Sequence, residues 1–200
     1  MLQTMSSPEG RAARAQRLRR NPAASSSGTP PVMHPGRAES PRVLAAETPQ
    51  RTREISVALP AGTRVGAALR ALLDTWHAQA ACGRIVGGTC AHIQYHVMAR
   101  ATQGLRPYVY GAPIVCDGEN TLIGAAVTIG RREDGTRILH CHGGFVDAQG
   151  RQHGGHLILD ETWVAGDGLH LRLCLIDGVD LVVSPDAETT FDLLQPVRRS

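Results

Sequence analysis

Four of the nine histidines of this 200-residue chain lie within one short segment, ILHCHGGFVDAQGRQHGGHLIL, which covers residues 138–159. His140 and His142 are two positions apart in a run typical of a β-strand, so both side chains point to one face while Cys141 points to the other. The polar residues VDAQGR predict a turn, after which QHGGHL returns antiparallel. Counting back from a turn at residues 148–149 places His156 within about one residue of His142. The sequence therefore predicts three imidazoles on one face of a hairpin, provided that the register does not slip by one residue.

Three converging imidazoles are suited to a divalent transition metal. Zinc accepts nitrogen ligands in a tetrahedral shell whose fourth position can hold water or a ligand, and nickel or copper would fit the same nitrogens nearly as well. We therefore predict a metal site, with zinc as the first choice, on His140, His142 and His156. His153 is expected on the opposite side, where it either supports the site or faces solvent. The other strand histidines are expected to be ordinary polar residues, among them His92, His96 and His170.

Two catalytic uses of the same histidines stay open. A metal-bound water could hydrolyse a substrate, with Asp160 or Glu161 as the base, although a solvated strand end is the simpler interpretation of these carboxylates. A metal-free histidine pair could instead perform acid–base chemistry. The chain contains no GxSxG, HExxH or P-loop motif, so no catalytic residue is assigned. The substrate contacts expected for a small-molecule hydrolase are Arg84, Tyr95, Tyr108 and Tyr110.

The segments around the hairpin predict an α+β fold. REISVAL alternates as a strand does, and apolar residues between Val65 and Trp76 recur at helical spacing. Thr63 is the expected N-cap and Gly83 the expected helix stop. A second strand, RIVGGTCAHIQYHV, contains a glycine pair that indicates a bulge or a close backbone approach. The remaining pattern of short strands and Asp-Gly turns predicts a largely antiparallel sheet of about seven strands with one main helix packed on it.

Composition divides the chain into two parts. Lys and Arg total 21 against 18 Asp and Glu, but the basic excess lies in residues 1–52, a Ser-, Pro- and Arg-rich segment that we expect to be disordered. Residues 53–197 form the expected domain and are mildly acidic, so nucleic-acid binding is expected only from the basic segment. The five cysteines form no CxxC pair and there is no run of about 18 apolar residues or secretory signal, which favours a cytoplasmic protein without a membrane partner.

The hairpin resembles a known signature. LHCHGGFVDAQGRQHGGHL is similar to the pattern of the plants-and-prokaryotes-conserved (PPC) domain, which consists of HxH, a short apolar run, DxxG and GGHL. The resemblance extends upstream through GTRVGAALRALLDTWHAQAACGRIVGGTCAHIQYHV and downstream through LHLRLCLIDGVDLVVSPDAETTFDLL. It covers residues 53–197.

This resemblance implies a curved, largely antiparallel α+β domain that assembles as a homotrimer. Bacterial and archaeal members hold a metal, often zinc, at HxH and GGH, which correspond here to His140, His142 and His156. Plant members join the domain to AT-hooks and regulate transcription through DNA, but this chain lacks the AT-hook core Arg-Gly-Arg-Pro and has GGH where plant proteins often have GGG. The expected function is therefore a trimeric metal-binding domain with a regulatory or ligand-sensing role, for which DNA and a small molecule are candidate partners. No catalytic activity follows from the resemblance.

Overall fold

The structure is a computed structural model that describes residues 36–37, 47–104 and 106–199. The segment expected to be disordered, residues 1–52, lies almost entirely outside the described residues. The described elements, in chain order, are β1 (Arg51–Leu59), α1 (Val65–Thr75), β2 (Ala80–His96), β3 (Met98–Arg100), β4 (Tyr108–Tyr110), β5 (Ile114–Arg131), β6 (Arg137–Val146), β7 (Gln152–Leu157), a 3-10 helix (Leu159–Glu161), β8 (Trp163–Asp177), β9 (Val179–Pro185) and β10 (Asp192–Arg198).

The main sheet has eight strands in the order β1-β8-β2-β7-β6-β5-β9-β10, while β3 and β4 form a separate pair. All pairings are antiparallel except a single parallel contact between Arg131 of β5 and Val182 of β9. The α+β class and the mostly antiparallel sheet are thus confirmed for the described residues, but the sheet has eight strands instead of seven. One reason is β10, which was not predicted as a strand. Its Pro196 is tolerated because β10 lies at the edge of the sheet.

A ring of strand pairings surrounds the core. One edge of β2 pairs with β5, and its other edge pairs first with β8 and then, at Tyr95 and His96, with β7. Because β5 pairs with β6 and β6 pairs with β7, the sheet closes on itself. This closure brings the end of β2 next to the hairpin of β6 and β7.

The only α-helix among the described residues, α1, covers one side of the core with Leu69 and Leu73, both fully buried. The helix starts and stops differently from the sequence-based expectation. Its N-cap is Arg64, whose side chain does not cap, and the N–H of Val65 instead donates to the carbonyl of Thr162 at 3.0 Å. The backbone carbonyl of Thr162 therefore caps the start of the helix in place of the expected Thr63 hydroxyl.

Three glycines of β2 bear on two expectations from the sequence, the helix stop and the bulge. Gly83, which was expected to stop the helix, lies inside β2, eight positions after α1 ends at Thr75. The pair Gly87–Gly88 forms the predicted bulge, since the register with β8 shifts on both sides of it. At Gly88 φ is 132°, and a Cβ atom would lie only 2.2 Å from the carbonyl oxygen of Gly168. The close approach of β8 thus requires glycine here.

No helix within the described ranges is both long enough and apolar enough to cross a membrane.

Candidate metal centre

The three predicted histidines lie together on one face of the β6–β7 hairpin. His140 and His142 belong to β6, and His142 is the direct cross-strand partner of His156 on β7. The ring centroids are 4.8 to 5.1 Å apart. One nitrogen from each ring lies within 4.8 Å of the other two, so the three rings can present nitrogens to a common point.

The nitrogen spacing of one pair, His142 and His156, fits a metal ion. Nδ1 of His156 lies 3.4 Å from Nε2 of His142, whereas two nitrogens on a tetrahedral zinc ion, each about 2.0–2.1 Å from it, are separated by about 3.4 Å. His140 and His142 are exposed, so an ion and a further ligand can reach the site. The donor set of three imidazoles suits zinc, nickel or copper.

The protonation state of the histidines also favours metal binding. Partial burial, together with the neighbouring His142, lowers the pKa of His140. Burial, followed by the effects of His140, His142 and His96, lowers the pKa of His156 to about 4. Since a metal binds the unprotonated ring nitrogen, these two rings need lose no proton at neutral pH before binding an ion.

A fourth histidine, His96, lies next to the three and was missed by sequence reasoning. It ends β2 as the cross-strand partner of His156, with the two ring centroids 6.4 Å apart. The Nδ1–H of His96 donates to the carbonyl of Gly111 at 2.8 Å, which leaves Nε2 as the unprotonated nitrogen of the neutral ring. The nearest sequence signal is the motif QYHV at the end of β2, but it does not reveal that β2 pairs with β7.

Tyr110 of β4 borders the same site. Its hydroxyl lies 3.4 Å from Nδ1 of His156, and its ring packs against both that histidine and His96, with centroid distances of 5.0 and 5.5 Å. Burial raises the pKa of Tyr110, so its hydroxyl stays protonated and can act as a hydrogen-bond donor. Tyr110 is thus the substrate-contact candidate that the structure places at the three histidines.

The other three candidate contacts have different surroundings. Arg84 lines a shallow depression on the outer face of β2 and β5, which His142 also borders. Tyr95 is buried in the core. Tyr108 lies in β4 opposite Arg100.

His153 faces away from the three histidines, as predicted, but it is half-buried in the core and not simply exposed. Its Nε2–H donates to Asp147 at 2.9 Å, its Nδ1 accepts from the Tyr95 hydroxyl at 3.0 Å, and its ring stacks on Phe145. Burial of Asp147 opposes its charged form, yet hydrogen bonds from His153 and Arg151 hold its pKa well below the usual range. This network supports β7 from behind the site.

Asp160 and Glu161 lie in the 3-10 helix that follows β7 and not at a strand end, and both are paired with arginines. Arg70 of α1 binds Asp160 through both guanidinium nitrogens, one of them at 2.8 Å, and Arg64 binds Glu161 at 2.8 Å. The hydrogen bond from Arg70 lowers the pKa of Asp160. Carboxylates held in this way are poorly suited to act as the base of a hydrolase.

A cleft of about 670 Å³ opens beside the histidines, with His140, His156 and Tyr110 in its wall. Apolar side chains from β6, β9 and β10 and the loop before β10 form much of the remaining wall, including Ile138, Val183, Phe191 and Leu194. The site therefore offers metal-ligating nitrogens at the side of a pocket with a size typical of small-molecule sites.

No family model matches the chain, and no curated protein matches it in sequence. Solved structures do match. A plant- and prokaryote-conserved (PPC) protein from Pyrococcus horikoshii is 18% identical with a TM-score of 0.56, over 78% of this chain and 99% of the other. A metal-containing protein from Archaeoglobus fulgidus is 12% identical with a TM-score of 0.58, over 76% and 99%. A predicted DNA-binding protein from Ralstonia eutropha JMP134 is 17% identical with a TM-score of 0.55, over 72% and 90%.

These likenesses extend over nearly the whole length of the three solved chains, and at such low identity they are likenesses of fold. The chain therefore has a PPC-like fold.

Proposed function

We propose that this chain is a metal-binding PPC-like protein with a regulatory role, which holds one divalent transition metal, zinc as the first choice, on His140, His142 and His156. The observation that carries the proposal is the convergence of one nitrogen from each of these rings within 4.8 Å on an accessible face. The lowered pKa values of His140 and His156 support it, as does the metal-containing protein of the same fold. A bound zinc ion would supply a Lewis acid with an open fourth position.

Metal analysis of the purified protein tests this proposal. We expect about one zinc per chain in the wild type, and near-complete loss when all three histidines are replaced by alanine. The matched control is His92→Ala with His170→Ala, two histidines on other parts of the sheet, which should keep the metal. Equal zinc content in the triple variant, with circular dichroism showing that it folds, would contradict the proposal.

We further propose that the protein is a homotrimer in the cytoplasm. Two large apolar side chains on neighbouring strands near His142 are exposed, Val86 at 51% and Ile123 at 65%, and contiguous apolar surface of this kind favours contact with another subunit. All five cysteines are free, which suits a reducing compartment. Light scattering should give about three times the chain mass of 21.3 kDa, whereas a monomer would contradict the trimer.

DNA association is the second candidate function. The Ralstonia protein of the same fold is described as a predicted DNA-binding protein, and the Arg-rich segment before β1 would supply charge for phosphate contacts. Gel shifts should weaken steeply with salt and should be lost when residues 1–46 are removed. If neither form shifts DNA at low salt, this candidate is excluded.

A metal-dependent hydrolase using the same histidines has less support. Both carboxylates considered as its base, Asp160 and Glu161, are engaged by arginines.

A further inference from the structure

The cleft beside the histidines has features that select the chemistry of its occupant. The first is the charge of the proposed metal site. Three neutral imidazoles leave the two positive charges of a divalent ion uncompensated, whereas a site containing carboxylates or thiolates would reduce them. An ion held in this way favours an anion at its open position.

The ionised side chains of the cleft do not cancel that charge. Arg70 and Asp160 pair with each other, and Arg137 pairs with Asp74 at 2.7 Å. Of the ionised groups that remain in the wall, Arg132 and Asp192 balance in formal charge. The net charge of the cleft is therefore set by the ion.

Arg132 is also available to a ligand. Among the described residues its side chain donates no hydrogen bond, and its electrostatic neighbour Asp134 is exposed. Its guanidinium can therefore turn towards an anion in the cleft without breaking a described hydrogen bond.

The hydroxyl of Tyr110 supplies a neutral hydrogen-bond donor next to the proposed metal site. Its hydroxyl lies 3.4 Å from Nδ1 of His156, the nitrogen that also faces His142. Once that nitrogen is bound to the ion it no longer accepts a hydrogen bond, so the hydroxyl can donate to the group that occupies the open position.

Much of the remaining wall is apolar, with Ile138, Phe191 and Leu194 among its side chains. A bare inorganic anion would leave this surface exposed to water. A ligand with an apolar body would cover it and gain free energy in proportion to the area buried.

We propose that the cleft binds a small organic anion, with a carboxylate or phosphate on the metal and on the Tyr110 hydroxyl, Arg132 adding positive charge, and an apolar body packed against Phe191 and Leu194. The inference rests on the metal site proposed above and names the ligand class of that site. It gives the regulatory role a chemical input, since the protein would respond to a small acidic metabolite.

Isothermal titration calorimetry on the full-length protein tests this, with hexanoate as the probe. We expect hexanoate to bind the zinc-loaded protein at least about tenfold more tightly than the zinc-free protein, because the ion supplies the net charge. Acetate should bind about tenfold more weakly than hexanoate, because it lacks the methylenes that pack on the apolar wall. Hexanamide, which is neutral and of similar size, should not bind measurably. Comparison with hexyl phosphate identifies which of the two head groups the site prefers.

Two variants examine the residues named. Tyr110→Phe should weaken hexanoate binding about tenfold, as expected for a lost hydrogen bond to a charged group. Arg132→Gln should weaken it about threefold, as expected for an exposed charge. Arg100→Gln on β3, outside the cleft wall, is the matched control and should bind hexanoate as the wild type does.

The zinc content of every sample separates the two proposals. If the wild-type protein binds no zinc when zinc is supplied, the metal site is overturned, and the anion site with it. A protein that holds zinc but binds no hexanoate, binds hexanamide equally well, or is unaffected by both cleft variants overturns the anion site alone.

Discussion

His142 and His156 face each other directly across β6 and β7, with Nε2 of the first 3.4 Å from Nδ1 of the second. This distance is close to the separation of about 3.4 Å between two nitrogens on one tetrahedral zinc ion. The two strands therefore hold half of the proposed coordination shell in place before an ion arrives.

The first prediction concerns this pair. His142→Ala should lower zinc affinity at least about a hundredfold, because a two-nitrogen site loses much of the binding free energy of a three-nitrogen site. Competition with a chromophoric chelator measures the affinity. His170→Ala, an exposed histidine on β8, should match the wild type, and a His142→Ala variant that also matched it would remove this residue from the ligand set.

The second prediction concerns Gly155, which lets β7 approach β2. Its φ is 157°, and a Cβ atom would lie 2.2 Å from the carbonyl oxygen of His96. Gly155→Ala should destabilise the protein by about 2 kcal/mol and weaken zinc binding, because β7 must move away from β2. In the same GG-containing hairpin Gly144→Ala is the control, since its Cβ would lie 3.5 Å from the nearest atom. Urea denaturation and zinc titration of both variants test this, and equal behaviour would show that the close approach is dispensable.

The third prediction is a pH dependence that arises from Asp147. Its pKa in the folded protein is lowered by hydrogen bonds from His153 and Arg151, against the opposing effect of burial. A carboxylate of this kind stabilises the fold above its unfolded pKa of about 3.9 and loses that contribution as pH falls towards the folded value. Asp147→Asn should therefore lower the urea midpoint at pH 7, and the difference from wild type should shrink below about pH 3.9. The exposed Asp167→Asn should show no such pattern, and a constant difference at all pH values would exclude this assignment.

The fourth prediction concerns Tyr95, whose hydroxyl contacts His153 and none of the three proposed ligands. Tyr95→Phe removes the hydroxyl that donates to His153 and should cost about 1 kcal/mol of stability, measured by urea denaturation. It should leave zinc affinity unchanged, because the Tyr95 hydroxyl bonds to His153 on the core side of the hairpin. A clear loss of zinc in this variant would mean that the His153 network supports the ligands more directly than its contacts indicate.

Local patterns were enough to predict the hairpin and the helix. Alternation in LHCH assigns His140 and His142 to one face, and the short turn before QHGGHL limits the register of His156 to about one residue. The helical spacing of apolar residues predicts α1, although the expected stop at Gly83 lies eight positions beyond its end at Thr75. These features depend on residues that are close in sequence, which is why spacing alone predicts them.

Long-range pairing was not predictable in the same way. Asp117–Gly118 is one of the Asp-Gly pairs that were predicted to form turns between strands, but β5 continues through it with an irregularity in its register against β2. A strand that absorbs a bulge and a strand that ends in a turn share the same residues, because both need glycine at a positive φ. His96 was assigned to the ordinary strand histidines for a related reason, since only closure of the ring places it beside His156.

Closure of the ring at β7 couples occupancy of the site to the motions of the sheet. The strand that brings His156 to His142 also pairs with β2 at His96, and separation of β7 from β6 would displace a proposed ligand. An ion that binds only the closed form would suppress such opening by mass action. Backbone amides of β7 should then exchange with deuterium more slowly as zinc concentration rises. The rigidity of the hairpin would thus depend on the availability of the metal.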